Sequence, residues 1–478
     1  VWIQAANNYA RVARATDDER AWLSEFLSFD EVSFRMRGKP KTETTCFLDS
    51  FSDTFPAGLM RSILEAAKTD GIDIQLADKR VKPCEVDPKA NTEWLRDYQQ
   101  EAVDLIGKRT RGIVWIPTGG GKGDIIPALT RSLPCNWLFV VHRAGLVDDI
   151  AKRYNARALG KYPGGKSFGD PGDDTVGHHG MEAGRIGTGV WDPADPFPGA
   201  LTCATFQTLV KNQGTPRFAR LVKSIDGVIF DEAHTLPAKS FWSVAMALDQ
   251  AYYRVALSGT PLARGDRRSI YTIAATGPVI YRVRPDLLIA RGVLARPKIR
   301  MVDCEGLSAK PTWQGAYGEL IARSPKRNKV IVDIARKAEK PCLIFVKEVK
   351  HGKLLKERLE KSGISADFVW GTTPQATRDA SCKRLVRGDI DVLVCSVVFQ
   401  EGLDVPEIES VIVASGGKSV IATLQRIGRG MRSNQGKKKT FEVWDILDKG
   451  NKWTERHAKG RRRAYLKEGH EVQTIPSA

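Results

Sequence analysis

Short apolar runs recur along the chain between residues 112 and 445, each separated from the next by a stretch of helix length. Ile113-Val114-Trp115-Ile116, Trp137-Leu138-Phe139-Val140-Val141, Val228-Ile229-Phe230 and Val255-Ala256-Leu257 make a first set. Leu343-Ile344-Phe345-Val346, Val392-Leu393-Val394 and Val411-Ile412-Val413 make a second. Continuous apolar strands alternating with helices predict parallel sheet covered on both faces. Pro278, Pro285, Pro297 and Pro311 break the rhythm between the sets. The pattern therefore predicts two α/β lobes, 91–275 and 310–450, joined by a connector over 276–309.

Residues 1–90 follow a different rhythm. Helical patterns over Thr16–Leu27 and Pro56–Asp70 flank strand-like pieces near Ser33–Met36 and Ile72–Leu76, which predicts a small α+β accessory domain. Residues 160–200, rich in Gly, Pro and Asp, read as an irregular excursion within the first lobe. The segment 451–478 is basic, with seven Lys+Arg against three Asp+Glu, and predicts a helix through Arg456–Lys467. The chain shows no internal repeat.

A chain of 478 residues suits about three domains, each able to bury its own core. The hydrophobic fraction of 42% is that of a soluble globular protein. No apolar run approaches the roughly 20 residues of a membrane helix. Val1-Trp2-Ile3-Gln4 lacks the basic-then-apolar order of a secretory signal. A cytoplasmic protein without a membrane partner is expected. The eight cysteines are scattered with no C-x-x-C pair, and several lie in apolar runs, as Cys342 and Cys395 do. Reduced, buried thiols are expected in place of disulfides or zinc ligands. The pair His178-His179 has no metal-site company.

The formal charge of +18 is unevenly placed: residues 1–90 carry 13 Lys+Arg against 15 Asp+Glu, so the whole excess follows residue 90. A basic surface favours a polyanion through counterion release, although it also serves solubility.

The candidate chemistry begins where strand 113–116 runs into Pro117-Thr118-Gly119-Gly120-Gly121-Lys122, ahead of a helix near Ile125–Arg131. Glycines let backbone N–H groups turn in around phosphate oxygens, and a helix N-terminus adds a favourable dipole. Lys122 would reach the β- and γ-phosphates of ATP. Gly123 stands where Ser or Thr would bind Mg²⁺, so water or another side chain must fill that metal position. Asp231-Glu232-Ala233-His234 follows an apolar strand, at the end where open α/β sheets bind ligands. Asp231 would hold Mg²⁺, and Glu232 would orient and deprotonate the attacking water.

In Gln425-Arg426-Ile427-Gly428-Arg429-Gly430-Met431-Arg432, residues Gln425, Arg429 and Arg432 fall at i, i+4 and i+7 and share one helix face. Two arginines on one face suit an arginine-finger role toward the transferring phosphoryl group; a salt-bridged surface helix has the same pattern. Leu95-Arg96-Asp97-Tyr98-Gln99 lies just upstream of the first lobe's phosphate loop; its Gln99 amide can read adenine, with Arg96 or Tyr98 packing nearby.

In this order the motifs make the chain resemble a superfamily 2 helicase of the DEAH/DExH kind, closest to the phage UvsW and XPB-like branch. The resemblance runs from Leu95 to Arg432, and Thr440–Glu471 is similar to the closing segment of phage members. It implies two RecA-like parallel-sheet lobes in tandem with a small N-terminal α+β domain, ATP and Mg²⁺ between the lobes, and nucleic acid across both. It assigns Arg143, Thr205 and Gln207 to the nucleic-acid strand on lobe one, and Phe345, Lys347, Gly371, Thr372 and Ser396 on lobe two. Gly402 and Asp404 match positions near the ribose and the interlobe cleft. His234, Ser258, Gly259 and Thr260 match positions that couple hydrolysis to strand handling. Hydroxyls and backbone amides suit phosphate contact, which positions a strand without reading sequence.

The expected activity is an ATP-dependent DNA helicase, working as a monomer in a bacterial or phage-infected cell. It would unwind or branch-migrate forked, junction or R-loop DNA, RNA–DNA hybrid included, moving 3′ to 5′ as the family does. A double-strand translocase, an RNA helicase and a nucleic-acid clamp with weak ATPase remain alternatives. Residues 1–90 would orient DNA or meet a partner, and Arg461-Arg462-Arg463 either braces duplex DNA or forms a solvated basic face.

Overall fold

The computed structural model describes residues 1–33, 41–83, 94–158, 182–262, 266–308, 310, 312–396, 408–417 and 439–476. The chain divides into two compact units: Val1–Ile116 with Gly121–Arg282, and Pro117–Gly120 with Val283–Ala478. Each unit is organised by a large, mainly parallel sheet. The architecture is α/β, with two RecA-like lobes in tandem and a small α+β element at the N-terminus.

The first sheet has eight strands. Its centre runs Leu201–Thr205, Trp137–Val141, Gly227–Asp231, Tyr253–Ser258 and Arg111–Trp115, each parallel to the next. Trp137–Val141 and Leu201–Thr205 are buried at every residue; the first reads as an unbroken apolar run, while Thr202 and Thr205 interrupt the second. One edge is the antiparallel pair Gly184–Gly187 and Val190–Asp192, which fall where the sequence suggested irregular chain. The other edge is Val279–Arg282, parallel to Arg111–Trp115.

The second sheet has seven strands, in the order Ala366–Val369, Val392–Ser396, Cys342–Val346, Ser410–Val413, Thr440–Lys449, Arg296–Glu305 and Val472–Ile475. Every pairing is parallel. The expected connector thus carries sheet strands: Val279–Arg282 completes the first lobe and Arg296–Glu305 lies inside the second. Its prolines mark where elements begin. Pro285 opens the helix Pro285–Ala290 and Pro297 is the second residue of the ten-residue strand.

The basic C-terminal segment is also structural. Helix Lys452–Lys467 packs on strand Thr440–Lys449, and Val472–Ile475 closes the sheet. Arg461 is 1% exposed and paired with Asp445 at 2.8 Å, so it braces the lobe; only Arg462 and Arg463 of the triplet face solvent.

At the N-terminus the helices Asp17–Phe26 and Met60–Asp70 match the expected ones, the first capped by the Thr16 hydroxyl and Glu19. The expected strand near Ile72–Leu76 begins only at Gln75, because Gly71 ends the helix in a left-handed conformation and the chain must turn before pairing with Trp2–Ala5. Trp2–Ala5 and Tyr9–Arg14, which the sequence did not announce, pair antiparallel at the sheet's middle. Hairpin Ser28–Ser33 and Lys41–Cys46 stands beside this sheet. The small sheet shares its core with the first lobe: Ile3, Leu23, Phe55 and Ile63 cluster with Trp242, Ile270, Ile273 and Ala274. Gly58 approaches so closely that a Cβ there would lie 2.2 Å from the Ile273 carbonyl oxygen.

The seven cysteines among the described residues are free thiols. None of the described helices is long and apolar enough to cross a membrane.

Candidate nucleotide and nucleic-acid site

Strand Arg111–Trp115 delivers the chain to the loop 117–121, and helix Lys122–Ser132 follows. Gly119 and Gly121 take φ of +87° and +79°, values that L side chains rarely adopt. The Gly121 carbonyl accepts from the Gln99 Nε2 at 2.9 Å, and Gln99 Oε1 accepts from the Arg96 N–H at 2.9 Å. Both ends of this buried amide are engaged by backbone. Gln99 therefore braces the phosphate loop, with one amide N–H and one carbonyl lone pair left over. Lys122 leans back with Nζ 3.4 Å from the Ile116 carbonyl. Gly123 is the second residue of the helix and has room for a Cβ, which would find its nearest neighbour, Ile150 Cδ1, at an ordinary contact distance of 3.5 Å.

Asp231 ends the strand Gly227–Asp231, with Trp137–Val141 on one side and Tyr253–Ser258 on the other. The next residue, Glu232, has φ +47°, a strained value for a non-glycine residue. That turn sets its carboxylate 3.3 Å from His234 Nδ1. Burial, then the neighbouring Glu232 charge, push the Asp231 pKa up, against the pull of the Lys122 ammonium. Burial acts the same way on Glu232, but the His234 hydrogen bond and the Lys122 and His142 charges outweigh it and hold its pKa low. A buried carboxyl that resists ionisation beside a second carboxylate fits a divalent cation, which would relieve both penalties. Asp231 would hold Mg²⁺, and Lys122 with the loop amides would hold ATP.

Ser258, Gly259 and Thr260 sit at the end of the adjacent strand. Ser258 Oγ accepts from the Thr260 N–H at 3.2 Å, and the Ser258 carbonyl accepts from the Ile116 N–H at 3.2 Å. Trp115 Nε1 donates to the Gly259 carbonyl at 2.9 Å, and the Arg282 guanidinium lies 4.1 Å above the Trp115 ring. Thr272 Oγ1 donates to the Ala233 carbonyl at 3.1 Å. Trp115 and Thr272 were missed by sequence reasoning. A tryptophan directly before the phosphate loop was the available signal for the first; nothing local marks the second.

The expected strand-contacting residues divide by exposure. Arg143 is half-buried beside His142, and the exposed Gln207 donates to the His142 carbonyl at 2.8 Å. Thr205 is buried, and its hydroxyl caps helix Phe206–Asn212. On lobe two, Lys347 is exposed above the Tyr317 ring, and Gly371 and Thr372 are exposed on a turn braced by Arg378. Phe345 is fully buried in the sheet and Ser396 is 3% exposed, so neither side chain is presented to a strand. Gly402, Asp404, Gln425, Arg429 and Arg432 lie outside the described residues.

Two family models match, one described as "Type III restriction enzyme, res subunit" over residues 93–263, the other as "Helicase conserved C-terminal domain" over 326–434. The chain is 28% identical over 265 residues to putative helicase 22 of Sulfolobus islandicus filamentous virus, covering 52% of this chain and 47% of that protein. It thus spans about half the length of that relative. It is 25% identical over 471 residues to the ATP-dependent DNA helicase uvsW of Enterobacteria phage T4, covering 89% of this chain and 86% of that protein. The structure of S. cerevisiae Dbp5 bound to RNA and ADP BeF3 superposes with a TM-score of 0.52 at 12% identity, covering 80% of this chain and 90% of that one, which supports the tandem fold. Motif order, strand-end placement of the acidic pair and both family models agree: the chain belongs to the superfamily 2 helicases, in the branch that holds UvsW and XPB.

Proposed function

We propose that the protein is an ATP-driven motor that translocates on DNA and unwinds or branch-migrates forked, junction and R-loop structures. One observation carries this reading: the phosphate loop with Lys122 and the acidic pair Asp231-Glu232 leave the carboxyl edge of the same parallel sheet, from strands Arg111–Trp115 and Gly227–Asp231, with Tyr253–Ser258 between them. Lys122 would bind the phosphates, Asp231 the metal ion, and Glu232 would take the proton of the attacking water. Arg429 and Arg432 would complete the site from the second lobe, with Gln425, Gly402 and Asp404 near the nucleotide. Trp115 would relay the state of the phosphate loop to Gly259. Gln207, Lys347, Gly371 and Thr372, together with Arg143, would meet the sugar–phosphate backbone, supported by the basic charge beyond residue 90. Movement 3′ to 5′ and a monomeric state are part of the proposal.

A second reading, translocation on duplex without strand separation, is favoured by the restriction-subunit family model over 93–263. ATP turnover measured without nucleic acid and with single strand, duplex, fork, four-way junction and RNA–DNA hybrid separates the two. The helicase reading expects the strongest stimulation by fork or junction, accompanied by displaced strand. Stimulation by plain duplex with no displaced strand supports the translocase. No stimulation by any of these, or full turnover after Lys122→Ala, would overturn both.

A further inference from the structure

Where the small N-terminal sheet meets the first lobe lies a half-open cavity of about 280 Å³. That is the small end of the roughly 300–1,000 Å³ that organic ligands occupy. Its walls are of two kinds. Ala57, Met60, Leu64 and Ile280 supply an apolar side, and Arg61, Arg80, Lys108, Arg109 and Arg111 a cationic one, against the lone carboxylate of Asp78.

Two of the five cations are neutralised. Arg80 grips Asp78 through Nε and Nη2, at 2.9 and 2.8 Å, and Arg61 pairs with Glu65 at 2.9 Å. Lys108 and Arg109 have no carboxylate partner among the described residues and are exposed at the end of helix Asp97–Arg109. Arg111 is the decisive one. Its Nη2 donates to the Asn7 carbonyl, while its Nη1 is buried and has no hydrogen-bond partner among the described residues. Burial, and then the nearby Arg254 and Arg80 charges, press its pKa down. Arginine nonetheless keeps its proton in proteins, so this guanidinium stays charged and under-paired. An anion both fills the open N–H and offsets the buried charge, whereas a neutral acceptor does only the first. The close packing at Gly58, on the cavity wall, keeps the frame rigid.

We propose that this cavity binds a phosphate carried on an apolar body, a nucleotide unit drawn either from a bound DNA strand or from free nucleotide. The phosphate meets Lys108, Arg109 and Arg111, and the sugar or base lies against Met60, Leu64 and Ile280. The site lies apart from the phosphate loop and does not depend on the ATPase reading.

The test uses the full chain carrying Lys122→Ala, so that the phosphate loop contributes little. Binding of thymidine 5′-monophosphate, of thymidine and of a single-stranded oligonucleotide is measured by calorimetry in three proteins: this background, Lys108→Ala/Arg109→Ala, and Leu64→Trp. The double variant removes charge and keeps the cavity; the tryptophan fills the cavity and keeps the charge. At least one phosphate-bearing ligand should bind and lose tenfold or more in both variants, while thymidine does not bind. If the monophosphate behaves so, free nucleotide is the source; if only the oligonucleotide does, the strand is. A loss in the charge variant with Leu64→Trp unchanged marks general surface charge and overturns the proposal, as does any other pattern in two folded variants.

Discussion

Replacing Arg461 with methionine keeps most of the side chain's apolar volume and removes a buried guanidinium. In the structure Nε and Nη2 donate to Asp445 at 2.8 and 2.9 Å, Nη1 to the Gly417 carbonyl at 2.8 Å, and Nη2 also to the Ile446 carbonyl at 2.9 Å. Asp445 is 0% exposed, and the Tyr465 hydroxyl would be its remaining side-chain donor. Breaking a buried pair from one side costs about 3–5 kcal/mol, because the other charge stays buried. Local opening of strand Thr440–Lys449 should then become easier by about two to three and a half powers of ten. Hydrogen exchange of peptides from that strand and from helix Lys452–Lys467 reads this directly. Removing both charges, with Arg461→Met and Asp445→Leu together, should restore at least half the loss, since the desolvation of Asp445 disappears with it. Arg462→Ala and Arg463→Ala, on exposed residues, should stay within about 0.5 kcal/mol of the parent. Exchange in Arg461→Met within threefold of the parent, or an equal cost for Arg462→Ala, would refute the reasoning.

Gly123→Thr should fold, gain about 0.5 kcal/mol in stability from helix propensity, and lower the Mg²⁺ concentration for half-maximal ATP turnover several-fold, since the site has room and lacks a hydroxyl; loss of nucleotide binding would show that the loop is built otherwise. Gly58→Ala sets a Cβ against the Ile273 and Ala274 carbonyls at 2.2 and 2.4 Å, so it should cost about 1–3 kcal/mol and speed proteolysis within residues 1–83; an unchanged digestion rate counts against it. His351 is buried with Nε2 2.9 Å from Asn328 Oδ1, and burial, then Arg327, push its pKa down to about 3. Its folded pKa lies below the unfolded one, so its contribution is complete above about pH 6.5 and fades as pH falls toward 3, amounting to about 2 kcal/mol lost by pH 5. The urea midpoint of lobe two should track this in the parent and flatten in His351→Gln; parallel curves would refute it. Trp115→Phe keeps a ring under Arg282 and loses the Gly259 hydrogen bond, so it should lower DNA-stimulated turnover more than basal turnover; an equal loss in both would deny the relay.

What could be read from the chain alone was whatever is decided locally. Strands buried on both faces announced themselves, as Trp137–Val141 and Cys342–Val346 did, because nothing polar interrupts them. So did the phosphate loop and the acidic pair, whose chemistry follows a strand end by one or two residues. Thr440–Lys449 stayed hidden because its interior holds Glu442, Asp445 and Asp448, which look solvated until their partners are known. Asp448 is paired with Arg327, 121 residues earlier. The contacts that assemble the site also join residues far apart in the chain, 144, 22 and 39 positions for Trp115 to Gly259, Gln99 to Gly121 and Thr272 to Ala233.

The arginine triplet shows where a closer reading would have succeeded. Successive helix residues are turned about 100° apart, so three in a row cannot all face one partner. Counting from Arg461 by three and four in each direction reaches His457, Ala458, Ala464 and Tyr465, and seven back reaches Thr454; all of them are buried. That stripe of small and aromatic residues marks the inward face, and Arg461 lies in its middle. A buried arginine requires an acid, and Asp445, 16 residues earlier, supplies it. The same two arginines, 327 and 461, also hold the carbonyls of Ala414 and Gly417, just before the segment that carries Arg429 and Arg432. The charge that looked like a handle for DNA thus holds the backbone at Gly417.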